Sequence, residues 1–415
     1  MRQLTVAIDA RLAAKQSTGD TSYWRGLLDG LAKLNLPAKF LLFSNTPPPP
    51  EVPLSSQFNW EFVPGKIERY WSLVTFPLAA KRAHADVIHT QYNVSPLSGS
   101  RAVTTIHDVS FFVNREWFPP KVTAVMQAAL PRSAARAARI LTVSEHSKQE
   151  IEQFIPQARG KVVVTPNALG STITPFDANQ ARELVASRLG INSPYIFTIG
   201  SAWKRKNLDL AFATSKSLQS TFPHTLAVSG RPENVPDRPN VKATGYVDDS
   251  LMSALYSGAS LFLLPSLHEG FGIPLLEAFA CSCPVLCGNG GALPEVAGDA
   301  AIIAPDYNEE TWLRLASEIL TDSGKVSEMA RRGLIRVQAY NWEETARLTW
   351  QVYEEVARDR AELLAILACP ICEDRPPLQQ NEDSLQCTKC GSCFPIIDGI
   401  PHLVADDATK LNEGD

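Results

Sequence analysis

The segment P-S-L-H-E-G-F-G-I-P-L-L-E, residues 265–277, decides the fold. It follows the short apolar run 259–264, which is typical of a buried strand. Gly270 and Gly272 permit a turn whose N–H groups are not covered by side chains, and proline is tolerated at 274 in the first turn of a helix. The sequence therefore predicts a strand, a glycine turn and a helix whose N-terminal N–H groups and dipole can bind a diphosphate.

Two glutamates flank the start of this predicted helix. Glu269 lies in the loop, and Glu277 is predicted in the first helical turn, eight residues later. One carboxylate can accept hydrogen bonds from a sugar and the other from a ribose, with phosphates on the amides between them. A glutamate pair alone favours two solvated carboxylates at an ordinary turn, but G-F-G-I-P between them favours a ligand site.

The composition limits the class of protein. The chain has 415 residues, 45% hydrophobic and 20% charged, which predicts a globular protein of two or three domains. Its net charge of −5 argues against general nucleic-acid binding, so we expect no nucleic-acid partner. No apolar run approaches the roughly 18 residues of a membrane helix, and the N-terminus predicts a first strand instead of a signal peptide. We therefore expect a cytoplasmic protein.

Predicted strands alternate with helical patterns in two successive series. The strands fall at residues 4–9, 40–44, 59–63, 86–89, 103–107, 140–144 and 162–165, and then at 195–199, 226–229, 241–244, 261–264, 284–287 and 301–304. This alternation predicts an α/β fold with two Rossmann-like, doubly wound domains, at residues 1–167 and 168–340. No G-x-G-x-x-G follows a predicted strand, which argues against a dinucleotide cofactor. N-W-E-E at 341–344 predicts the capped start of a last helix, 341–360.

The segment around Glu269 and Glu277 resembles the paired-glutamate motif of retaining glycosyltransferases of family four. The resemblance covers about residues 1–358. It implies the GT-B fold, in which an acceptor-binding first domain faces a second domain that binds a nucleoside diphosphate sugar. It also implies that the last helix packs back on the first domain, and that transfer proceeds with retention and without a catalytic metal.

Other segments match the same family and imply further roles. T-I-H-D-V at 105–109 places His107 beside the transferred sugar, and K-R-K at 204–206 supplies Arg205 and Lys206 to the leaving diphosphate. A fixed cation stabilises the charge that develops there, although a strand-end histidine or a basic triplet in isolation is usually structural. Gly19 matches the glycine loop after the first strand, in which two other family positions differ. The implied catalytic residues are His107, Glu269 and Lys206, and the implied donor-binding residues are Gly19, Arg205, Lys206, Val247 (beside the nucleobase), Glu269, Gly270, Phe271, Gly272, Ile273 and Glu277.

The C-terminal region carries a separate signal. Cys369, Cys372, Cys387 and Cys390 form two C-x-x-C pairs, whose thiolates can bind one zinc ion tetrahedrally. Metal would supply much of the folding energy of so small a module. Residues 366–405 resemble zinc ribbons of the tRNA-methyltransferase-activator type, which implies a structural zinc and a partner-binding or stabilising role. Cys393 is a fifth thiol, so it stays open which four bind the metal.

A basic stripe is predicted on a first-domain helix, from the helical spacing of Arg132, Arg136 and Arg139. Such a stripe can contact an anionic membrane surface, or it can be a solvated face. A second group of cysteines, at 281, 283 and 287, is predicted to pack as small apolar side chains.

We interpret the sequence as a hexosyltransferase with an added zinc ribbon. It is expected to move a mannose- or glucose-like sugar from a GDP- or UDP-sugar to a glycan or lipid-linked acceptor, in the cytoplasm or at the inner face of the membrane. One alternative is a catalytically weak adaptor whose ribbon docks a partner enzyme; the altered glycine loop favours it and residues 265–277 oppose it. Another is a different GT-B reaction, such as nucleotide-sugar epimerisation or glycogen-type synthesis.

Overall fold

The computed structural model describes residues 3–14, 19–48, 55–200, 203–230, 235, 238–381, 384–397, 400–405 and 409–410, without the side chains of 360–365, 400 and 409–410. These residues form two parallel sheets and one small antiparallel sheet. The predicted α/β class and the two Rossmann-like domains are confirmed. The predicted domain boundaries stay predictions. Among the described residues, no helix is both long and apolar enough to cross a lipid bilayer.

The first sheet has seven parallel strands in the order β3-β2-β1-β4-β5-β6-β7. The strand order reverses between β1 and β4, and such switch points form ligand crevices at the carboxyl ends of strands. The strands are β1 (Leu4–Asp9), β2 (Ala38–Ser44), β3 (Phe58–Phe62), β4 (Val87–Gln91), β5 (Ala102–Thr105), β6 (Arg139–Thr142) and β7 (Val162–Val164).

Helices cover both faces of the first sheet. The first of them buries Tyr23, Trp24, Leu27 and Leu31 on one face, as its apolar spacing predicts. The helices are α1 (Gly19–Lys33), α2 (Glu68–Tyr70), α3 (Phe76–Arg82), α4 (Ser110–Val113), α5 (Pro120–Arg136) and α6 (Glu145–Phe154).

The predicted basic stripe is wrong at Arg139. Helix α5 ends at Arg136, because Ala137 takes extended backbone angles (φ −65°, ψ 133°). Arg139 therefore begins strand β6, and its Nη2 atom lies 2.5 Å from Glu355 Oε1 and 3.4 Å from Asp359 Oδ2. Its charge is compensated within the protein and does not continue the surface of α5.

The second sheet has six parallel strands in the order β10-β9-β8-β11-β12-β13, and its order reverses between β8 and β11. The strands are β8 (Tyr195–Ile199), β9 (Thr225–Ser229), β10 (Val241–Gly245), β11 (Leu261–Leu264), β12 (Val285–Cys287) and β13 (Ile302–Ile303). The helices are α7 (Ala178–Leu189), α8 (Leu208–Leu218), α9 (Asp249–Gly258), α10 (Ile273–Ala280), α11 (Leu293–Ala297), α12 (Glu309–Thr321) and α13 (Ser323–Gln338). Asp248 accepts a hydrogen bond from the Leu251 N–H and caps α9.

The last long helix, α14 (Trp342–Ile366), returns to the first domain and packs on α1. Gly26 and Gly30 of α1 are required there, because a β-carbon at either position would overlap Trp342. Asn341 accepts a hydrogen bond from the Glu344 N–H at 2.8 Å, which confirms the predicted cap. The helix continues to Ile366, six residues past its predicted end, since residues 360–366 contain no glycine or proline that would stop it.

A small antiparallel sheet follows α14. Its strands are β14 (Leu378–Asn381), β15 (Ser384–Cys387), β16 (Ser392–Ile397), β17 (Ile400–Pro401) and β18 (Thr409–Lys410). Its buried core consists of Cys369, Leu385, Cys387 and Phe394, with partly buried neighbours around them. So few apolar side chains give little hydrophobic stabilisation, which is why the cysteines matter for this module.

Candidate active site and metal centre

Three charged side chains meet in the second domain, between the loops that follow β8 and β11. Arg205 Nη1 donates to Glu269 Oε2 at 2.8 Å, and Lys206 Nζ donates to Glu269 Oε1 at 2.6 Å. Ser266 Oγ also donates to Glu269 Oε1, at 2.6 Å. The Glu269 side chain is only 8% exposed. We call Arg205, Lys206 and Glu269 the charge cluster.

Burial and charge act in opposite directions on the pKa values of the charge cluster. Burial alone would raise the pKa of Glu269, but the charges of Lys206 and Arg205 outweigh it and hold that pKa well below its ordinary value. Burial lowers the pKa of Lys206, against the opposing effect of Glu269. With two cations and one carboxylate, the ionised charge cluster carries one net positive charge. The nearby Asp108 offsets part of it, and the remainder suits an anionic ligand.

Glu277 lies on α10, close to the charge cluster. Its Oε2 atom accepts a hydrogen bond from the Tyr256 hydroxyl at 2.8 Å. Burial raises the pKa of Glu277, while the Tyr256 hydroxyl and the charge of Lys206 act in the opposite direction. Glu277 is the fifth residue of α10 and thus stands in the second turn, not in the first as predicted, because the helix already begins at Ile273.

The glycine turn before α10 has the expected backbone. Gly272 takes φ 101° and ψ 51°, a left-handed conformation that favours glycine. Phe271 points into the core, where its ring lies edge-on to Tyr340 at 5.3 Å. The turn therefore presents main chain on the side away from the core, and the Ile273 N–H at the start of α10 has no acceptor within the helix.

His107 lies in the first domain where that domain faces the second, two residues past the end of β5. We call the space between the two domains the cleft. Its ring contacts Tyr23 and Tyr92 edge-to-face, with centroids 4.7 and 5.9 Å apart. Its Nε2 atom is 3.5 Å from Asp20 Oδ1, and in the described part of the chain this buried atom has no hydrogen-bond partner. Burial lowers the pKa of His107, although the charges of Asp20 and Asp108 oppose the shift. A neutral imidazole is thus favoured.

The two sides of the cleft touch at Gly270. A β-carbon there would lie 2.9 Å from the His107 carbonyl oxygen and 2.8 Å from Asp108 Cβ. Only glycine fits at this distance without a shift of the opposing main chain. Asp108 accepts hydrogen bonds from the Ser110 N–H and hydroxyl at 2.9 and 2.6 Å, which fix its carboxylate in this loop. The structure therefore brings the loops of His107 and Glu269 together.

Two other predicted donor residues stand apart from the charge cluster. Gly19 is the first residue of α1, and a β-carbon there would meet no described atom within 4 Å, so packing does not require glycine. Val247 is half-buried after β10, beside the 73% exposed Tyr246. Their contacts with a donor stay predictions. His89 is fully buried, with its ring nitrogens bonded to Tyr353 and Thr105 at 2.6 and 2.8 Å, which fits the structural role expected of it.

Several residues of this site were not predicted from the sequence. Ser266 and Tyr256 each hold one of the paired glutamates, and Asp20 approaches His107. Ser266 could have been found, since it stands three residues before Glu269 in the same loop. Tyr256 and Asp20 carry no local signal, because their partners lie on other elements of the fold.

The four predicted metal ligands form one group. Their Sγ atoms all lie within 4.8 Å of one another, and Cys369–Cys390 and Cys372–Cys387 are separated by 3.7 and 3.9 Å. Four sulfurs about 2.3 Å from a tetrahedral zinc ion would be about 3.8 Å apart, so the spacing fits that ion. Main-chain N–H groups of Lys389 and Cys390 donate to Cys387 Sγ, both at 3.4 Å, and would stabilise a thiolate.

Cys393 is not part of this group. It is buried, and its Sγ atom donates to the Gly391 carbonyl at 3.7 Å. The cysteines at 281, 283 and 287 are buried in the core of the second domain, as predicted, and burial raises the pKa of Cys281 to about 11. Such thiols are poor metal ligands because they remain protonated.

The two parallel Rossmann-like sheets define the GT-B class of fold, and the buried charge cluster lies at the carboxyl ends of the second sheet. The sucrose-phosphate synthase of Thermosynechococcus elongatus has the same fold, with a TM-score of 0.68 and 18% identity over 86% of this chain and all of that chain. Residues 19–169 match the family Glycosyltransferase Family 4, residues 182–335 match Glycosyl transferases group 1, and residues 360–399 match Trm112p-like protein.

Two curated relatives come from Escherichia coli. The chain is 30% identical to O-antigen chain mannosyltransferase B over 61% of this chain and 70% of that protein. It is 27% identical to the serotype-specific mannosyltransferase WbdA over 60% of this chain, but spans only 33% of that longer protein. The chain belongs to glycosyltransferase family 4, and it is a glycosyltransferase with a Trm112p-like C-terminal domain.

Proposed function

We propose that this glycosyltransferase transfers a hexose, with retention, from a nucleoside diphosphate sugar to a hydroxyl group of a glycan or lipid-linked saccharide. The observation that carries the proposal is the charge cluster. It is a buried site with excess positive charge, it lies at the switch point of the second sheet, and it adjoins the N-terminus of α10.

The charge cluster and α10 would hold the donor diphosphate. As the bond between the sugar and the β-phosphate breaks, negative charge builds on the phosphate oxygens. Lys206 and Arg205 would stabilise that charge, together with the main-chain N–H groups from Gly270 to Ile273. Glu269 already restrains both cations, at 2.6 and 2.8 Å, so little reorganisation is needed during the reaction.

The remaining predicted residues would orient the donor. Glu277, held by Tyr256, would accept hydrogen bonds from the ribose hydroxyls, and the main chain around Val247 would contact the base. Glu269 would accept hydrogen bonds from sugar hydroxyls through the carboxylate lone pairs that Arg205 and Lys206 do not use. His107 would bond a sugar hydroxyl through its unpartnered Nε2 atom. Gly19 would approach the diphosphate from the first domain.

Retention would follow if the acceptor attacks the face from which the phosphate departs. The acceptor oxygen then forms the new bond to the anomeric carbon, the old bond to phosphate oxygen breaks, and the departing phosphate takes the acceptor proton. Such a step needs a fixed diphosphate and an open first-domain face more than it needs a protein nucleophile.

The donor and acceptor follow from chemistry and from the relatives. The mannosyltransferase relatives support a mannose-like sugar. They also support a saccharide acceptor. For the donor nucleotide we propose GDP, with UDP as the second choice. Donor chemistry and free thiols both suit the cytoplasm, and exposed Arg132 and Arg136 on α5 would meet the anionic inner face of a membrane.

The ribbon would bind a structural zinc ion through Cys369, Cys372, Cys387 and Cys390. Zinc closed by four thiolates has no open position, so it would not take part in transfer. The ribbon could still dock a protein partner. This arrangement keeps the adaptor function as the second candidate, but the intact charge cluster argues for an enzyme.

The test is a donor-binding and transfer screen with UDP-, GDP- and ADP-sugars, in the presence of EDTA. Wild-type protein is compared with Glu277→Ala and Glu269→Ala. We expect one nucleotide to bind selectively, with binding lost in Glu277→Ala and indifferent to the chelator. If no donor binds to zinc-loaded wild type, the enzyme proposal fails and the adaptor function takes its place.

A further inference from the structure

Residues of the second domain contact the first two turns of α6, a helix of the first domain. Ser144, the N-cap of α6, donates its hydroxyl to the Gly270 carbonyl at 2.7 Å. Ser147 donates to the same carbonyl at 3.0 Å. Both hydroxyls and the carbonyl are buried, so these bonds attach the glycine turn before α10 directly to the first domain.

The N-terminus of α6 receives a carboxylate from the other domain. Glu295 of α11 accepts hydrogen bonds from the N–H groups of Glu145 and His146, at 2.9 and 3.0 Å. The first N–H groups of a helix have no acceptor within it, and the positive end of the dipole favours an anion. Here that anion comes from the second domain, so these two N–H groups have a protein acceptor only when the two domains meet, whereas the Ser147 N–H is already bonded to the N-cap Ser144.

A third contact reaches the residue next to Glu269. Glu150 accepts from His268 Nε2 at 2.9 and 3.0 Å, and His268 is 3% exposed. The His268 carbonyl in turn accepts from Arg205 Nη1 at 2.9 Å. Burial would raise the pKa of Glu150, but hydrogen bonds from His146 and His268 lower it to about 2. Glu150 is thus connected through His268 to two members of the charge cluster.

We propose that residues 144–150, at the N-terminus of α6, form a clamp that holds the first domain against residues 265–272 of the second. Within this clamp, Glu150 is a positioning residue that acts through His268 on Glu269 and Arg205.

This inference rests on the proposed function of the charge cluster. Apart from Gly19 and His107, the residues proposed to bind the donor belong to the second domain. We therefore expect the clamp to affect the geometry of transfer more than the affinity for the donor. Glu295 contributes to the same clamp from the second domain, through its hydrogen bonds to the first N–H groups of α6.

A metal site is the competing interpretation of part of this region. His146, Glu150 and His268 place ligand atoms within 4.8 Å of one another. However, Glu150 Oε1 already accepts at 3.0 Å from each imidazole, so the carboxylate is satisfied without an ion. In the described part of the chain the buried His268 Nδ1 has no partner, whereas a metal-bound histidine usually donates from its second nitrogen. The Arg205 guanidinium also donates to the His268 carbonyl at 2.9 Å, and a cation so close disfavours a metal ion.

The experiment compares Glu150→Ala, Glu150→Gln and Glu295→Gln with wild type in the full chain. The matched control is Glu152→Gln on the same helix, whose carboxylate accepts from the Gly160 N–H within the first domain. For Glu150→Ala we expect kcat to fall about 10- to 100-fold, because the reacting groups are displaced, with the dissociation constant of the donor nucleotide changed by less than about threefold. Glu150→Gln keeps an acceptor for His268 and should restore part of kcat.

Hydrogen exchange at the amides of Glu145 and His146 gives a reading that does not depend on activity. We expect faster exchange in Glu295→Gln and no change in Glu152→Gln. If wild type transfers no sugar from any donor, the proposed function fails, while exchange still tests the clamp. The clamp is overturned if exchange at 145–146 is unchanged, or if Glu150→Ala keeps full kcat.

Metal content separates the clamp from the metal site. We expect one metal ion per chain, all of it in the ribbon, and unchanged content in His146→Phe. A second ion that is lost in His146→Phe would overturn the clamp and assign the three side chains to a metal.

Discussion

The charge cluster and the four-cysteine ribbon are both built from side chains brought together by loops, but they depend on the fold in opposite ways. Arg205, Lys206 and Glu269 stand at the edge of a six-stranded sheet whose core exists without them. Among its described residues, the ribbon buries only a few side chains besides its cysteines. The fold of the second domain therefore positions the charge cluster, whereas the ribbon depends on its four cysteines and their metal to fold.

This difference teaches where each region is vulnerable. Removing a cation from the charge cluster should change the chemistry and leave the sheet intact. Removing a thiolate should abolish the ribbon and leave the chemistry intact. Each prediction below tests one side of that contrast.

The largest effect is expected in Cys372→Ser. Structural zinc in small domains contributes about 10–16 kcal/mol of binding free energy at neutral pH, so losing one ligand should remove the metal and unfold the ribbon. Metal content by elemental analysis should fall from one ion per chain to near zero. Donor binding should remain. Cys393→Ser is the control and should keep its metal; if it loses the ion instead, the ligand set is wrong.

The next effect is expected in Lys206→Met. Loss of one preorganised charge-stabilising donor costs about 100- to 1000-fold in kcat in comparable sites, and we expect a fall of that order in sugar transfer. Lys204→Met removes an exposed charge from the same turn and should change kcat little. Thermal unfolding of both variants should resemble wild type. A kcat for Lys206→Met close to that of Lys204→Met would contradict the role of the cluster.

The sequence predicts the segment that carries Glu269 and Glu277 because its signals are local. A β-prone apolar run, two glycines and a proline fix the strand–turn–helix from 261 to 280, so the positions of Glu269 and Glu277 follow. The prediction placed Glu277 in the first turn of the helix, whereas α10 begins at Ile273 and Glu277 is its fifth residue. The placement of Arg205 and Lys206 beside Glu269 is not local and was implied only by the family resemblance. Arg139 was misplaced because helical spacing alone does not reveal that Ala137 leaves the helix.

The contacts between domains could not be predicted in this way. Glu150 and His268 are 118 residues apart, and Glu145 and Glu295 are 150 apart. Their sequences indicate a capped helix and a loop histidine, but nothing local says which partner each one meets. Pairings of this kind depend on how two finished domains face each other, and a single sequence does not encode that in any short pattern.

A smaller effect is expected from pH on the clamp. The folded pKa of Glu150, about 2, lies below the ordinary 4.5, so its contribution to stability is complete above about pH 4.5 and is lost as pH falls toward 2. The pKa of His268 is raised from 6.5: burial lowers it, but the hydrogen bond to Glu150 and the charges of Asp108 and Glu150 together outweigh burial. Its contribution is complete below 6.5 and is lost as pH rises through the folded value.

The difference in unfolding free energy between wild type and Glu150→Gln should therefore be largest between about pH 4.5 and 6.5. The charged or titratable groups that face His268 are Glu150, His146, Asp108 and Arg205. Glu152→Gln should show no such maximum. A difference that is flat across this range would mean that the His268–Glu150 bond does not change its protonation on folding.

The smallest effect is expected in Gly19→Ala, which asks whether the first domain contributes to the binding of the donor. Since a β-carbon at Gly19 meets no described atom, the free energy of unfolding should change by less than about 0.5 kcal/mol. If the diphosphate approaches this main chain, the added methyl group should raise the KM for the donor by about 3- to 10-fold. An unchanged KM would mean that Gly19 only begins α1 and does not contact the donor.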